Sequence, residues 1–340
     1  MYVPNTRWTW AFMLTAIFQV AVGLALESYV FGKFQGQIHF AAEGAGASES
    51  RTIPTFLAVF MFGYIYQLLL VWDALRLKNT IQVIGIVIYN IGILVYAGIQ
   101  FDQIRDAADD LNNNAFIPRF FWKDVKPMLI ALPVLMAVAT VFFAFEAWKL
   151  YDEFAWTIYK RISADTRLKR RYLTYQIYIA LLKFDFFFFL AFTVQFLVVV
   201  KNTKTLELAL TAAALGVTFF LLFLAAWWVR RESVAGMIGI IVIYFISLGY
   251  FLFKLIRMYV ADAHRQEDYK PARKSLTAFA ILTILLLVLT IVTACLCTHN
   301  FNKGLKPHVN DDKIIHSDKS YATEMPSLSG PVPSQRMEID

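Results

Sequence analysis

The chain has 340 residues, of which 59% are hydrophobic and only 17% are charged, and its mean hydropathy is +0.55. A soluble domain carries about 25% charged residues, so the composition excludes an ordinary soluble protein and predicts a lipid bilayer as the main partner. The 32 basic and 25 acidic residues leave a net charge of +7. In a membrane protein such an excess is expected in cytosolic loops that face anionic lipid. We therefore do not expect nucleic acid as a partner.

Apolar runs long enough to cross a bilayer, which takes roughly 17–25 residues, recur eight times. Only helices and closed barrels satisfy their own backbone hydrogen bonds in lipid, and the alternating pattern of a barrel is missing. The sequence therefore predicts an all-α polytopic transmembrane helix bundle over residues 1–302, with about eight spans and seven as the alternative. In chain order the runs are Trp8–Leu26, Thr52–Trp72, Asn79–Phe101, Pro127–Phe145, Tyr172–Val200, Leu208–Val229, Ser233–Phe253 and Ser275–Thr298.

The polar tail, residues 303–340, differs from the rest of the chain in composition. It carries prolines among serines and too few apolar residues to bury a core. We predict that it is disordered and cytosolic.

The orientation of the bundle is predicted from its basic connections. With eight spans, both termini lie on the same side as the connection Lys149–Arg171, which contains Lys160-Arg161 and Arg167-Leu-Lys-Arg-Arg171. Because cytosolic connections carry an excess of Lys and Arg, both termini are predicted to be cytosolic. A second basic cluster, between Lys254 and Lys274, would then be luminal. This conflict keeps the seven-span alternative open, with one run between residues 172 and 253 not crossing fully.

Lys183 and Asp185 lie inside the fifth apolar run. An ionisable group at bilayer depth costs several kcal/mol unless it is paired, hydrated or near the interface. Positions two apart on a helix point about 200° apart, so we do not expect these two side chains to pair with each other. Asp185 then needs a donor from another helix. The predicted donors are Gln19, Gln67, Asn90 and tyrosines of neighbouring spans, and Gln195 is a further intramembrane polar residue.

The depth of this pair has two interpretations. The whole run Tyr172–Val200 would span about 43 Å at 1.5 Å per residue, which exceeds the roughly 30 Å hydrocarbon core. If the embedded part is only Phe184–Val200, Lys183 and Lys201 bound it and Lys183 is an interfacial anchor. In the other interpretation, Asp185 and Lys183 belong to a buried functional or structural polar site.

Three carboxylates after the third run, Asp106, Asp109 and Asp110, resemble the closely spaced acids that hold Mg²⁺ in membrane prenyl-transferring enzymes. Such enzymes need a second acidic cluster, and the sequence offers no match, so a solvated helix end is the alternative. The five histidines form no His-x-x-x-His or His-Glu-x-x-His arrangement. We therefore predict no metal site, no cofactor and no enzymatic activity.

Cys295 and Cys297 close the last apolar run. If the adjoining tail is cytosolic, both are candidates for palmitoylation. The alternative is two small residues of the core. Because one residue separates them, they cannot staple a luminal loop, and no disulfide framework is expected.

Small residues are placed where helices need to approach closely. Two pairs of them are spaced four residues apart, a pattern that allows helix backbones to come together. Glycines of the third run are expected to do the same. The positions are Ala212 with Gly216, Ala235 with Gly239, and Gly85 and Gly92.

Two segments carry a resemblance to a known family. They are Ala25-Leu-Glu-Ser-Tyr-Val-Phe-Gly-Lys-Phe-Gln35 and Arg171-Tyr-Leu-Thr-Tyr-Gln-Ile-Tyr-Ile-Ala-Leu-Leu-Lys-Phe-Asp-Phe-Phe-Phe-Phe-Leu-Ala-Phe-Thr-Val-Gln-Phe196. With them, residues 1 to about 300 resemble an uncharacterised family of fungal multi-pass Golgi membrane proteins. The resemblance implies a location in the Golgi membrane. It supplies no activity and no catalytic residues.

The function predicted from these observations is a non-enzymatic transporter-like or receptor-like bundle in the Golgi membrane. Its ligand would be an unknown small molecule or protein partner, and its candidate site is the polar set around Asp185. The first alternative is a lipid-modifying enzyme that uses the carboxylates after the third run. The second is a trafficking or scaffold protein that works through residues 303–340.

Overall fold

The structure is a computed structural model and describes residues 4–37, 49–113, 117, 120–161, 166–200, 205–260, 269–270 and 272–303. Within these ranges the regular secondary structure is helical, and no strand occurs. The tail predicted to be disordered lies outside the described residues apart from Lys303. The helices are α1 (Arg7–Gln37), α2 (Glu49–Leu77), α3 (Thr80–Asn113), α4 (Phe121–Arg161), α5 (Thr166–Val199), α6 (Thr205–Arg231), α7 (Val234–Val260) and α8 (Arg273–His299).

Each of these eight helices is long and apolar enough to cross a membrane. The prediction of a helix bundle with about eight spans is therefore confirmed over the described ranges. All the helices extend beyond the uncharged runs, because a helix continues through the interface with polar residues while its apolar segment fills the roughly 30 Å hydrocarbon core. The longest, α4, runs over 41 residues.

The helices form two rings of four. In the first ring α1 packs against α2 and α4, and α3 packs against the same two helices. The second ring repeats this pattern: α5 packs against α6 and α8, and so does α7. The rings meet where α5 lies against α2 and α3 and where α8 lies against α3. Helix α5 is thus both a wall of the second ring and its main contact with the first.

Two very short connections fix neighbouring helices as antiparallel pairs. Lys78 and Asn79 join α2 to α3, and Glu232 and Ser233 join α6 to α7. Lys78 and Glu232 both adopt the left-handed conformation, with φ of 49° and 54°, which ends a helix by turning the chain back on itself. The Asn79 side chain then caps α3, since its Oδ1 accepts hydrogen bonds from the backbone N–H of Ile81 (3.0 Å) and Gln82 (3.3 Å).

The phenylalanine block of α5 forms the joint between the rings. Phe187 packs edge-on against Tyr89 of α3, with ring centroids 5.0 Å apart, and is stacked on Tyr66 of α2 at 5.7 Å. Phe184 and Phe188 lie over Gly85 and Gly92 of α3. A Cβ added at Gly85 would come within 2.4 Å of the Phe184 ring, and one added at Gly92 within 3.3 Å of Phe188. The close approach predicted for these two glycines is confirmed.

The other small-residue prediction is wrong. An added Cβ at Gly216 or Gly239 would meet nothing within 4 Å, so neither glycine lies at a tight contact between helices in the described structure. The small residue that does touch a neighbour in this region is Gly236, which lies beneath the Trp228 ring of α6. The α6–α7 pair therefore packs through an aromatic side chain on a glycine, and four-residue spacing alone did not identify it.

Candidate functional site

Lys183 is paired across the joint between the rings. Its Nζ forms an ion pair with Asp73 Oδ2 of α2 and donates to Gln82 Oε1 of α3 at 2.9 Å. The Gln82 amide in turn donates to Asp73 Oδ2 at 2.9 Å and to the Leu70 carbonyl at 3.0 Å. The three side chains thus form one hydrogen-bonded cluster from three helices. It ties α5 to the α2–α3 pair.

The position of this cluster bears on the interfacial interpretation of Lys183. Asp73 lies in the last turns of α2 and Gln82 in the first turn of α3, so the cluster is at one end of the first ring. The Lys183 and Asp73 side chains are 26% and 30% exposed. Lys183 is thus partly exposed and neutralised by a protein carboxylate, and its role as an interfacial anchor stays a prediction.

Asp185 points to a different partner, inside the second ring. It is only 6% exposed, and its Oδ2 accepts a hydrogen bond of 2.6 Å from Thr290 Oγ1 of α8. The donors predicted for it, Gln19, Gln67 and Asn90, are wrong, because all three lie in the first ring. The other carboxylate oxygen, Oδ1, has no hydrogen-bond partner among the described residues.

Asp185 lines a small cavity at the axis of the second ring. All four helices contribute to a volume of about 40 Å³, which is room for one to a few water-sized groups, since a water needs about 10–15 Å³ measured in this way. The polar residues around it carry oxygen atoms only. The lining residues are Asp185, Phe189, Thr218, Leu221, Leu222, Ile243, Tyr244, Ser247, Phe251, Thr283 and Leu287.

The chemistry of this lining favours a small cation. A carboxylate with hydroxyl neighbours is the ligand type that hard cations and protons prefer. Tyr244 is held in place by its hydroxyl contact of 3.1 Å with Tyr178 of α5. The cavity therefore combines one unpaired carboxylate oxygen, a fixed tyrosine and three further hydroxyl side chains within a buried space.

The first ring instead carries a layer of polar side chains that bind each other. Gln19 of α1 donates to Asn90 Oδ1 of α3 at 2.8 Å, and Asn90 donates to Thr140 Oγ1 of α4 at 2.7 Å. Gln67 of α2 completes the layer by donating to Gln19 Oε1 at 3.4 Å. Each helix of the ring supplies one of these side chains. Gln67 and Asn90 thus belong to a structural layer, separate from Asp185.

Gln195 lies at the joint. Its amide donates to the Tyr96 hydroxyl of α3 at 2.9 Å, and that hydroxyl donates to the Phe56 carbonyl of α2 at 3.2 Å. Gln195 therefore links α5 to both helices of the first ring that it contacts. The five residues predicted as one polar set fall into three places: the joint, the first ring axis and the second ring axis.

The carboxylates after the third span lie in the last turns of α3. Asp106 and Asp102 both face Lys274 of α8, at 3.6 and 4.0 Å. In the part of the chain that the structure describes, no group of three or more His, Cys, Asp or Glu side chains could hold a metal. Asp106 is thus an exposed carboxylate paired with a lysine.

The two cysteines have different surroundings. Cys297 is buried and its Sγ lies 3.7 Å from the Thr174 carbonyl, whereas Cys295 is exposed. Acyl transfer to a thiol needs access, so the palmitoylation prediction is kept for Cys295, and Cys297 fits the alternative of a small core residue.

Comparison with known proteins gives one clear relative. The chain is 32% identical over 318 residues, 87% of its length and 88% of the relative's, to a protein of Schizosaccharomyces pombe described as a UPF0658 Golgi apparatus membrane protein. The chain belongs to the UPF0658 family. No protein-family model matches the chain, and no solved structure matches it.

Membership of the UPF0658 family confirms the resemblance seen in the sequence. The two segments that carry it lie on α1 and α5, and the second includes both Lys183 and Asp185. Together with the eight apolar helices, it makes the chain an integral multi-pass membrane protein. The description of the relative gives a location and no activity.

The sequence reasoning missed two buried acids, Glu27 and Glu146, each of which directly follows an apolar run. Glu27 of α1 is fully buried and is bound by the Gln100 amide of α3, at 3.1 and 3.4 Å from its two oxygens. It follows the first apolar run directly and so looked like a residue at the end of a span. The buried positions of α1 recur every three or four residues, and Glu27 falls in that series with Gly23 and Val30. The spacing of Glu27 from the other buried positions of α1 was the signal that this acid faces the packed side of the helix.

Proposed function

We propose that the protein is a non-enzymatic, transporter-like member of its family whose second ring binds a small cation, a proton or a monovalent metal ion, at Asp185. The observation that carries this proposal is Asp185, whose buried Oδ1 has no hydrogen-bond partner among the described residues and whose side chain belongs to the lining of a cavity. A carboxylate in this setting has lost its hydration and gained one hydrogen bond, from Thr290. A bound cation supplies the missing stabilisation.

Comparison of the two rings supports this role. At the axis of the first ring, uncharged amide and hydroxyl groups bind each other, and the unpartnered atom of this layer, Gln67 Oε1, carries no charge. At the axis of the second, the acidic group faces open space. Intramembrane acids of this kind mark ion pathways and proton relays in membrane proteins. The first ring is thus proposed to be the rigid partner of a ligand-binding second ring.

We propose that helix α5 couples the first ring to the second. It carries Asp185 on the second ring's side and Lys183, two residues away, on the first ring's side. A displacement of α5 against its neighbours in both rings therefore changes the surroundings of both charges. In a transporter, access to the Asp185 cavity would alternate through such a displacement.

Flux in proteoliposomes tests the proposal. With the purified full chain, an imposed pH or Na⁺ gradient should collapse faster than in protein-free liposomes, as followed by a trapped pH- or Na⁺-sensitive dye. Asp185→Asn keeps the side-chain volume and removes the charge, so it should reduce the flux to the protein-free background. Asp109→Asn, the same change at an exposed position of α3, should leave it unchanged.

Two results would overturn transport by Asp185. One is wild-type flux equal to the background for both ions, and the other is equal flux in wild type and Asp185→Asn. If Na⁺ or acid shifts the unfolding temperature of the wild type without any flux, the receptor-like alternative is favoured instead. A monodisperse profile for each variant in detergent shows that the comparison is made between folded proteins.

We further propose that the chain resides in the Golgi membrane with both termini in the cytosol. The location is supported by the description of the S. pombe relative, and the orientation by the basic connection between α4 and α5. A fluorescent fusion expressed at the native level should coincide with a Golgi marker. Retention in the endoplasmic reticulum or delivery to the vacuole would contradict the location.

A further inference from the structure

A basic cavity opens at the end of the bundle where α5 begins and α8 ends. Arg167, Arg170 and Arg171 of α5 line it together with Thr174, and Leu296 and Asn300 close it from the side of α8; its volume is about 480 Å³. Arg171 also donates to the Lys303 carbonyl at 2.6 Å, which fixes its direction. Three guanidinium groups around one space form a site for an anion, since their planar N–H groups bind phosphate and carboxylate oxygens in pairs.

An apolar groove runs along the outside of the bundle between α3, α5 and α8. Its volume is also about 480 Å³, and its walls include Ile88 of α3, Leu181 of α5 and Leu289 of α8. Ile88 is 62% exposed and Leu289 is 52% exposed. The groove is therefore open on its outer side, where the bilayer lies in a spanning protein.

The cavity and the groove follow each other on the same helices. On α5 the lining continues from Arg170 and Thr174 in the cavity to Leu181 and Phe188 in the groove. Spacings of three, four and seven residues keep such positions on one helix face. On α8 the lining likewise passes from Leu296 in the cavity to Leu289 in the groove.

The length of this strip matches one leaflet of a bilayer. Thr174 and Phe188 are fourteen residues apart, which is about 21 Å of helix at 1.5 Å per residue. One leaflet with its headgroup region is about 20–22 Å thick, half of the whole bilayer. A chain lying in the groove can thus reach the midplane while its polar end remains at the arginines.

We propose that this strip is a binding site for one anionic glycerophospholipid, with its phosphate in the basic cavity and an acyl chain in the groove. Charge complementarity selects the anionic headgroup, and the continuous apolar wall selects a lipid over a soluble phosphate. A zwitterionic lipid offers the same chain without the net charge, so it should bind more weakly. The site is separate from Asp185, which lines a cavity inside the second ring.

Binding of short-chain lipids to the purified full chain in detergent tests the proposal. Dioctanoyl phosphatidylserine should form an adduct in native mass spectrometry and raise the unfolding temperature more than dioctanoyl phosphatidylcholine does. Replacing two of the guanidinium groups, Arg170→Gln with Arg171→Gln, should weaken phosphatidylserine binding about tenfold or more, since it removes two of the three cationic groups that line the cavity. Arg105→Gln, an exposed arginine of α3 outside the strip, is the matched control.

A second variant separates a lipid site from a simple anion site. Ile88→Trp fills the groove from an exposed position, so it should weaken phosphatidylserine binding while leaving the chain-free headgroup, glycerophosphoserine, unaffected. Val141→Trp, at a 70% exposed position of α4, should change neither phosphatidylserine binding nor glycerophosphoserine binding. Equal affinity for glycerophosphoserine and phosphatidylserine would overturn the lipid proposal in favour of a soluble anion. Phosphatidylserine binding that survives both the arginine and the Ile88 changes would overturn the site itself.

Discussion

At the scale of single residues, Lys183, Glu27 and Asp185 are stabilised in three different ways. Lys183 is neutralised by the opposite charge of Asp73, and the Glu27 carboxylate is bound by an amide, Gln100. Asp185 has one hydroxyl donor and an unpaired oxygen at a cavity. Glu146 of α4 shares the pattern of one hydroxyl donor, Thr15, and one unpartnered oxygen. The cavity that Asp185 lines is what makes it the functional candidate.

The Glu27–Gln100 pair gives a prediction about stability. Glu27→Gln should leave the unfolding temperature unchanged or raise it, because an uncharged amide costs less to bury and can still bond Gln100. Gln100→Leu should lower the free energy of unfolding by about 1–3 kcal/mol, because it leaves a buried carboxylate without its donor. Thermal unfolding in detergent measures both changes. A larger loss for Glu27→Gln than for Gln100→Leu would show that the negative charge itself is required.

The Lys183–Asp73 pair gives a prediction about coupling. Lys183→Met and Asp73→Asn should each lower the unfolding temperature, and the double variant should lower it by less than the sum. For a partly exposed pair we expect a coupling of about 1 kcal/mol. The four proteins of this cycle, compared by thermal unfolding, give the value directly. Additive effects would mean that the two side chains do not stabilise each other.

The sequence identified the charged residues inside the fifth apolar run, but it did not identify the side chains that bind them. Charges inside an apolar run are visible in the sequence, so Lys183 and Asp185 were found. Their partners, Asp73 and Thr290, are 110 and 105 positions away, and their identity depends on which helices are neighbours. Thr290 is also an ordinary residue for a membrane helix. Only the arrangement of the rings shows that it faces an acid.

At the scale of elements, α5 explains the unusual phenylalanine block. Four consecutive phenylalanines would be difficult to place on a helix with only one packed face. On α5 they are needed because the helix contacts α2 and α3 on one side and α6 and α8 on others. Phe187 packs on Tyr66 and Tyr89 of the first ring, while Phe186 lies 6.0 Å from Phe219 of α6.

The contact between α3 and α5 can be tested at its glycines. Gly85→Ala should destabilise the protein by about 1–3 kcal/mol, the usual cost of overpacking, because the new Cβ would lie 2.4 Å from the buried Phe184 ring. Gly98→Ala on the same helix meets nothing within 4 Å and should be neutral or slightly stabilising, because alanine favours a helix over glycine. Thermal unfolding in detergent compares the two. Equal effects would contradict the close contact.

At the scale of the whole molecule, the sequence predicted the number of helices but not their grouping. Length and hydropathy identify each span by itself, since every helix satisfies its own backbone in lipid. The division into two rings depends on side-chain packing between distant segments, such as Phe184 on Gly85. Orientation stays a prediction, because basic residues occur in connections on both sides of the membrane.

Cysteine labelling can decide the orientation. In a background with Cys295→Ala and Cys297→Ala, Ala164→Cys should react with a membrane-impermeant maleimide in sealed Golgi vesicles whose cytosolic face is outward. Gly46→Cys, in the connection between α1 and α2, should react only after detergent is added. The reverse pattern would place both termini in the lumen. Labelling of both cysteines in sealed vesicles would contradict an odd number of crossings between them.

Because the chain is synthesised from its N-terminus, the two charged residues of α5 can meet their partners at different times. Asp73 and Gln82 are synthesised long before Lys183, so this lysine can find its partners as soon as α5 enters the membrane. Asp185 must wait for Thr290, which is 105 residues later. At about 5–20 residues per second, that is a delay of roughly 5–20 seconds. During this time the second ring is incomplete, so the acid has to be sheltered by the insertion machinery or by water while Lys183 already holds α5 against the first ring.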